Sequence, residues 1–374
     1  MRIALLVTVA GVFLGTSAAA QTRDDNQKRC SDRANPDLAI TACTEIIQSG
    51  QQTSDNVADV FNYRGIAYVS KGDIDRAIQD FDQAIRLDPN FTGAFANRGT
   101  AYRRKGDIDR AIQDFDRAIR LNPNDAHVFN NRGNAYLGKR DIDRAIQDYD
   151  QAIRLDPNEA VAFVSRGNAY VEKGDTSRAI QDFDQAIRLD PNSALAFYAR
   201  GNTYVEKGDA DRAIQDYEQA IRLNPNDADT FYNRGITYLD KRDIDRAIQD
   251  FDQAIRLRPN DARFFNNRGM HYVIRGDIDR AIQDFDEAVR LTPNFALRFT
   301  LRGMAYLRGG QYDRAIAEYD SALQIDSKFA MALFGRGVAK RMKGEIQPGD
   351  ADIAVAKQLQ RGVADLMAKY GVEP

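Results

Sequence analysis

The eighteen residues DIDRAIQDFDQAIRLDPN at 73 to 90 return in near copy every 34 residues until residue 293. Self-similarity at one fixed period constrains the fold more than any other feature, because it marks small units that stack rather than domains that each close around a core. With the frame set at Ala58, Gly stands eighth in every copy (Gly65, Gly99, Gly133, Gly167, Gly201, Gly235, Gly269, Gly303) and Tyr eleventh, from Tyr68 to Tyr306. Ala stands twentieth, from Ala77 to Ala315, and twenty-seventh, from Ala84 to Ala322. An aromatic stands twenty-fourth, from Phe81 to Tyr319, and Pro thirty-second, from Pro89 to Pro293.

The spacing of Phe61, Gly65 and Tyr68 puts them on one helical face, and that of Ala77, Phe81 and Ala84 does the same for a second helix. Lys71-Gly72 ends the first helix, Asp73 is placed to cap the free N–H groups of the second, and Pro89 cannot continue it. Small residues at the eighth and twentieth places remove bulk where the two helices cross. The skeleton resembles that of the tetratricopeptide repeat (TPR) family. The resemblance implies an all-α fold, a right-handed superhelical solenoid of helix-turn-helix repeats, here of an exported bacterial type. Eight repeats are expected: 58-91, 92-125, 126-159, 160-193, 194-227, 228-261, 262-295 and 296-329.

Both ends depart from the pattern. Residues 24-57 read as a degenerate first repeat, with Cys30 seventh, Cys43 twentieth and Asn35-Pro36 to start its second helix. These are the only two cysteines, and an even count in an exported chain favours a disulfide over a redox or metal pair, for which the spacing is wrong and no His is near. Residues 330-374 read as a partial ninth repeat and a cap. Lys340 replaces its Tyr, its second helix is expected only after Pro348-Gly349, and an amphipathic stretch runs from Ile353 to Tyr370. At the other end, residues 1-20 have the Arg2, apolar run and Ala18-Ala19-Ala20 of a signal peptide cleaved after Ala20. The expected location is therefore periplasmic or secreted, with no spanning helix.

Without that leader the formal net charge moves from -3 to -4, and both signs are spread through every repeat. Nucleic acid needs a concentrated cationic surface, so it is not an expected partner. The motifs of phosphate cradles, serine hydrolases and zinc proteases are missing, and His127 and His271 stand four repeats apart. No catalytic residue, metal site or cofactor is assigned, and the chain is not expected to be an enzyme.

One pairing departs from the general family pattern, which prefers Leu at the seventh place. The seventh residue is always Arg and the twenty-third acidic: Arg64 with Asp80, Arg98 with Asp114, Arg132 with Asp148, Arg166 with Asp182, Arg200 with Asp216, Arg234 with Asp250, Arg268 with Asp284 and Arg302 with Glu318. Arg336 and Asp352 repeat it in the ninth repeat. Either a bidentate ion pair forms across the helix crossing, or each guanidinium runs to solvent along its stem.

The family resemblance implies that first helices line a concave face through their second, fifth, ninth and twelfth residues, which here vary while the second helix hardly changes. The fifth and ninth places supply Asn62, Asn130, Asn134, Asn168, Tyr198, Asn202, Tyr232, Asn266, Met270 and Met304. Asn97, Asn131, Asn233 and Asn267 stand sixth and resemble asparagine ladders that hold an extended backbone, or serve only contacts between repeats. The implied function is a scaffold or adaptor in the cell envelope that grips a protein or peptide partner, centred on Tyr198 and Tyr232. Carbohydrate or envelope-polymer binding in an export accessory role is the alternative. No repeat combines the Lys and Asn of the family's clamp for a C-terminal carboxylate.

Overall fold

The computed structural model describes residues 25–50 and 54–373, so the signal-peptide reading of 1-20 lies outside the described residues. These residues are almost wholly helical, and no strand occurs among them. They form two compact units, one through Pro191 and one from Asn192.

In the first unit a short helix over 25–30 precedes Pro36–Ser49, followed by the pairs Ser54–Ser70 with Ile74–Leu87, Thr92–Lys105 with Ile108–Leu121, Ala126–Gly138 with Ile142–Leu155, and Ala160–Glu172 with Thr176–Leu189. Each helix packs on the next in sequence. The second unit repeats the scheme with Ala194–Glu206 and Ala210–Leu223, Ala228–Asp240 and Ile244–Leu257, Ala262–Arg275 and Ile278–Leu291, Ala296–Arg308 and Tyr312–Ile325, and Ala330–Met342 and Ile346–Leu359, then Val363–Ala368. Sequential packing of this kind is the local rule of a solenoid, in which every pair buries its apolar face on its neighbours.

The periodic residues explain the pairs. Ala77, Phe81 and Ala84 have no exposed surface, and the same holds for Ala111, Phe115 and Ala118 one repeat later. A Cβ added at Gly99 would lie 2.8 Å from Phe115 Cε1, so the eighth residue stays small because the twenty-fourth ring fills the crossing. Asp73 Oδ1 accepts from the Arg76 N–H at 3.2 Å, capping the second helix, and Asp107, Asp141, Asp175, Asp209, Asp243 and Asp277 cap theirs alike.

The last pair corrects one expectation. Its second helix begins at Ile346, not after Pro348-Gly349. Pro348 sits in the first turn, where an N–H has no intrahelical partner to lose. The stretch from Ile353 to Tyr370 is not one helix: it stops at Leu359 and resumes over Val363–Ala368, whose Val363 and Met367 are fully buried in the apolar cluster of the last pairs.

Candidate functional site

The seventh and twenty-third places meet across every full helix pair. Arg98 Nε lies 2.8 Å from Asp114 Oδ2 and its Nη2 2.7 Å from Oδ1, a fork on a fork. Arg64 grips Asp80, Arg132 Asp148, Arg166 Asp182, Arg200 Asp216, Arg234 Asp250, Arg268 Asp284 and Arg336 Asp352 in the same bidentate way. Asp114 is buried, and the Arg98 guanidinium lies over the rings of Phe95 and Tyr102. Lys340, in the place of the missing Tyr, adds a third cationic contact to Asp352 at 2.8 Å. Arg302 with Glu318 is the exception. The longer carboxylate meets Nη2, and Arg302 Nε is left buried without a partner.

A second carboxylate completes the arrangement. Arg98 Nη1 also reaches Asp82 of the preceding pair at 2.6 Å, and Arg132 reaches Asp116, Arg166 Asp150, Arg268 Asp252, Arg302 Asp286 and Arg336 Asp320 likewise. Burial opposes the charge on Arg98, yet Asp114 and Asp82 outweigh it and hold the guanidinium above its ordinary range. Burial also lifts the Asp114 carboxyl against the pull of Arg98. Attraction thus prevails at the guanidinium and desolvation at the carboxyl, and a buried pair of this kind is weak evidence of net stability.

On the first helices, asparagines at the sixth place donate to the fifth residue of the preceding pair wherever that residue can accept. Asn97 Nδ2 bonds Asn62 Oδ1 at 2.9 Å, Asn233 Nδ2 bonds the Tyr198 hydroxyl at 3.0 Å, and Asn267 Nδ2 bonds the Tyr232 hydroxyl at 3.0 Å. Asn131 follows Ala96, which offers no side-chain acceptor. Asn202 Oδ1 accepts from Asn233 and from the Tyr217 hydroxyl, and Asn134 accepts from Tyr149. In the second compact unit this makes two bonded groups along the first helices, Tyr198 with Asn202 and Asn233, and Tyr232 with Asn267.

Tyr198, Tyr232, Asn130, Asn134 and Met270 are half-buried, and Asn168 is exposed. Three expected face residues are not accessible. Met304 has no exposed surface because it joins the core with Leu301, Phe334 and Val338, and Asn62 and Asn266 are each 7% exposed. His271 stacks on Phe251 with its Nδ1 buried and unpartnered, and burial pushes its pKa down to about 4. Position matters here: the tenth place holds Ala in most pairs and His in this one.

Cys30 and Cys43 are joined, S–S 2.07 Å. Among the described residues there is no cluster able to hold a metal ion, and no helix long and apolar enough to cross a membrane.

Two family models match the sequence. One described as TPR repeat covers residues 167–208, 201–242 and 303–344, and one described as Tetratricopeptide repeat covers 62–126, 96–160 and 232–294. No curated protein matches. Among solved structures, a tetratricopeptide repeat protein from Parabacteroides merdae is 22% identical with a TM-score of 0.51, covering 66% of this chain and 98% of that one. The pilF product of Pseudomonas aeruginosa is 19% identical with a TM-score of 0.50, covering 57% and 97%. YrrB, described as a TPR protein with an unusual peptide-binding site, is 26% identical with a TM-score of 0.45, covering 50% and 95%. Helix pairs that repeat every 34 residues, matched by repeat models over most of residues 62–344, establish that the chain belongs to the tetratricopeptide repeat family.

Proposed function

We propose that this chain is a non-enzymatic scaffold in the cell envelope that holds an extended segment of a partner protein against the first helices of residues 192–374. The observation that carries the reading is the two bonded groups, Tyr198 with Asn202 and Asn233, and Tyr232 with Asn267, in which amides fix the tyrosine hydroxyls and leave the rings half-exposed. A ring that is already held loses little entropy when a partner packs on it. The nearly uniform second helix is read as spine and the variable first helix as recognition surface. Residues 24-57, closed by Cys30 and Cys43, are read as an N-terminal cap, and the helix Val363–Ala368 as the C-terminal one. A disulfide and a signal-like leader favour an exported protein.

The test is photo-crosslinking in the native compartment from Asn168 and from Met270, in the wild type and in Tyr198→Ala with Tyr232→Ala. The double variant is expected to lose the protein captured from Met270. Undiminished capture moves the site elsewhere, and capture of glycan alone replaces this reading with polymer binding.

A further inference from the structure

The second compact unit ends on a segment built unlike the rest. Val363–Ala368 is six residues long, whereas the first helices that follow the earlier second helices of this unit have thirteen or fourteen. The twenty-fifth residue, from Asp82 to Asp320, is acidic in all eight full repeats and is Ala354 in the ninth, and residues 363–373 hold no arginine. The ladder of forks therefore stops at Asp352. Apolar burial holds the segment instead: Val363 and Met367 have no exposed surface and Val372 is 1% exposed, all three in one cluster with Leu307 and Val338. Asp365, Ala368 and Lys369 are exposed, so the segment is amphipathic.

After this helix the chain turns back past the last pair. The Val372 N–H donates to Met367 O at 3.0 Å and the Gly371 N–H to Ala368 O at 2.9 Å, which closes the helix on a glycine. Gly371 has φ 71° and lies against Arg308 of the pair before the last, where an added Cβ would stand 2.9 Å from the guanidinium carbon. Arg308 Nη1 donates to Gly371 O at 3.4 Å. Among the described residues this is the one polar contact between residues 363–373 and the paired helices. Arg308 follows Leu307, which stands at the twelfth place, one of those the family resemblance assigns to the concave face. Leu307 is buried, whereas Val205 and Leu239 at the same place are half-buried. A helix of six residues is not stable alone, so the surface under it supplies its order.

We propose that this apolar ground, with Arg308 at its edge, is a docking site for a short amphipathic helix of a partner protein, and that the chain's own C-terminal segment fills it until such a helix arrives. The segment displays what the site takes: aliphatic side chains at i and i+4, then a glycine whose carbonyl accepts from Arg308. The proposal rests on the reading of first helices as a surface for partner proteins, and gives that surface a second point of attachment that is closed in the free chain.

The test uses the full chain and a labelled peptide of residues 361–374, RGVADLMAKYGVEP, followed by fluorescence anisotropy. In the wild type the chain's own segment competes with the peptide, and Met367→Asp removes that competitor. The Met367→Asp chain should bind the peptide about tenfold more tightly than the wild type, and should not bind a peptide carrying the same substitution. Arg308→Ala in the Met367→Asp chain should weaken the peptide about threefold. In the wild-type chain, hydrogen exchange should be about tenfold faster in Val363–Ala368 than in Ile346–Leu359, because the segment leaves by itself. Equal binding by the two chains, or equal protection of the two helices, overturns the proposal. Quickened exchange in Ile346–Leu359 of the Met367→Asp chain overturns it too, since the segment would then be an integral part of the last pair. The reading at Tyr198 and Tyr232 stands or falls separately, by the crosslinking from Met270.

Discussion

The first helix pair and an interior pair solve one crossing by opposite chemistry. In the interior, Arg132 and Asp148 place a buried ion pair between the helices, and Arg132 reaches back to Asp116 of the pair before. In the terminal pair Cys30 stands where the Arg would be, Ile46 replaces the acid, and Cys43 replaces the small Ala. Among the described residues no pair precedes it, and the first ladder arginine, Arg64, turns its Nη1 to the Thr44 hydroxyl, at 3.0 Å. The Arg64 pair is buried as deeply with one carboxylate and a hydroxyl as the Arg98 pair is with two carboxylates. At the end of a stack the same place is closed by a covalent bond and apolar side chains.

Breaking the interior version gives the largest expected effect. Asp148→Leu alone leaves Arg132 with only Asp116 and should cost about 3 kcal/mol, whereas Arg132→Met with Asp148→Leu should recover most of it, because the desolvation cost disappears with the attraction. Urea unfolding followed by circular dichroism measures the cycle. A double variant as unstable as either single one defeats the pairing as a coupled unit.

Breaking the terminal version should be local. Cys30→Ser with Cys43→Ala removes a bridge over a sequence separation of 13, worth about 3 kcal/mol on loop-closure grounds. Hydrogen exchange should quicken in Pro36–Ser49 and stay unchanged in Ile142–Leu155, since helix pairs open in contiguous groups. Two free thiols in the unreduced chain, or faster exchange throughout, would contradict the staple.

The helix pairs were legible because each of their determinants is local: a cap, a small residue and a ring return at fixed spacing. The Arg and acid places could be named from register alone. Their second carboxylates could not, since Asp82 and Asp116 look like any solvated acid until the neighbouring pair is in place. Met304 was misplaced because the ninth position faces outward only while the next first helix presents small side chains to it. Here Phe334 and Val338 enclose it.

His271 sharpens the contrast between a charged group that is compensated and one that is not. Burial holds it neutral down to about pH 4, from an ordinary value of 6.5. Between those values the unfolded chain binds a proton that the folded chain does not, so folded-state stability falls as pH drops through the window. His271→Ala, the residue of most other pairs at this place, should remove that dependence, on the order of 1 kcal/mol after solvent screening, and leave stability at pH 8 almost unaltered. Urea midpoints at pH 8, 6 and 4 measure it. An acid limb equally steep in the variant would assign the titration to other groups.

The smallest effect lies in the turns between paired helices, where seven pairs have a glycine with positive φ and two have arginine, Arg140 and Arg242, each at φ 60°. A non-glycine residue pays about 1 kcal/mol for that backbone, while glycine gives back roughly half of it by loosening the unfolded chain. The turn bonds are made by backbone: the Arg140 N–H donates to Leu137 O at 2.8 Å, and Arg242 to Leu239 O at 2.8 Å. Neither guanidinium has a partner among the described residues, so substitution removes no contact. Arg140→Gly and Arg242→Gly should therefore each stabilise by about 0.5 kcal/mol, additively because they lie in separate compact units. A loss of stability in either would mean that the arginine, not the turn, holds that connection.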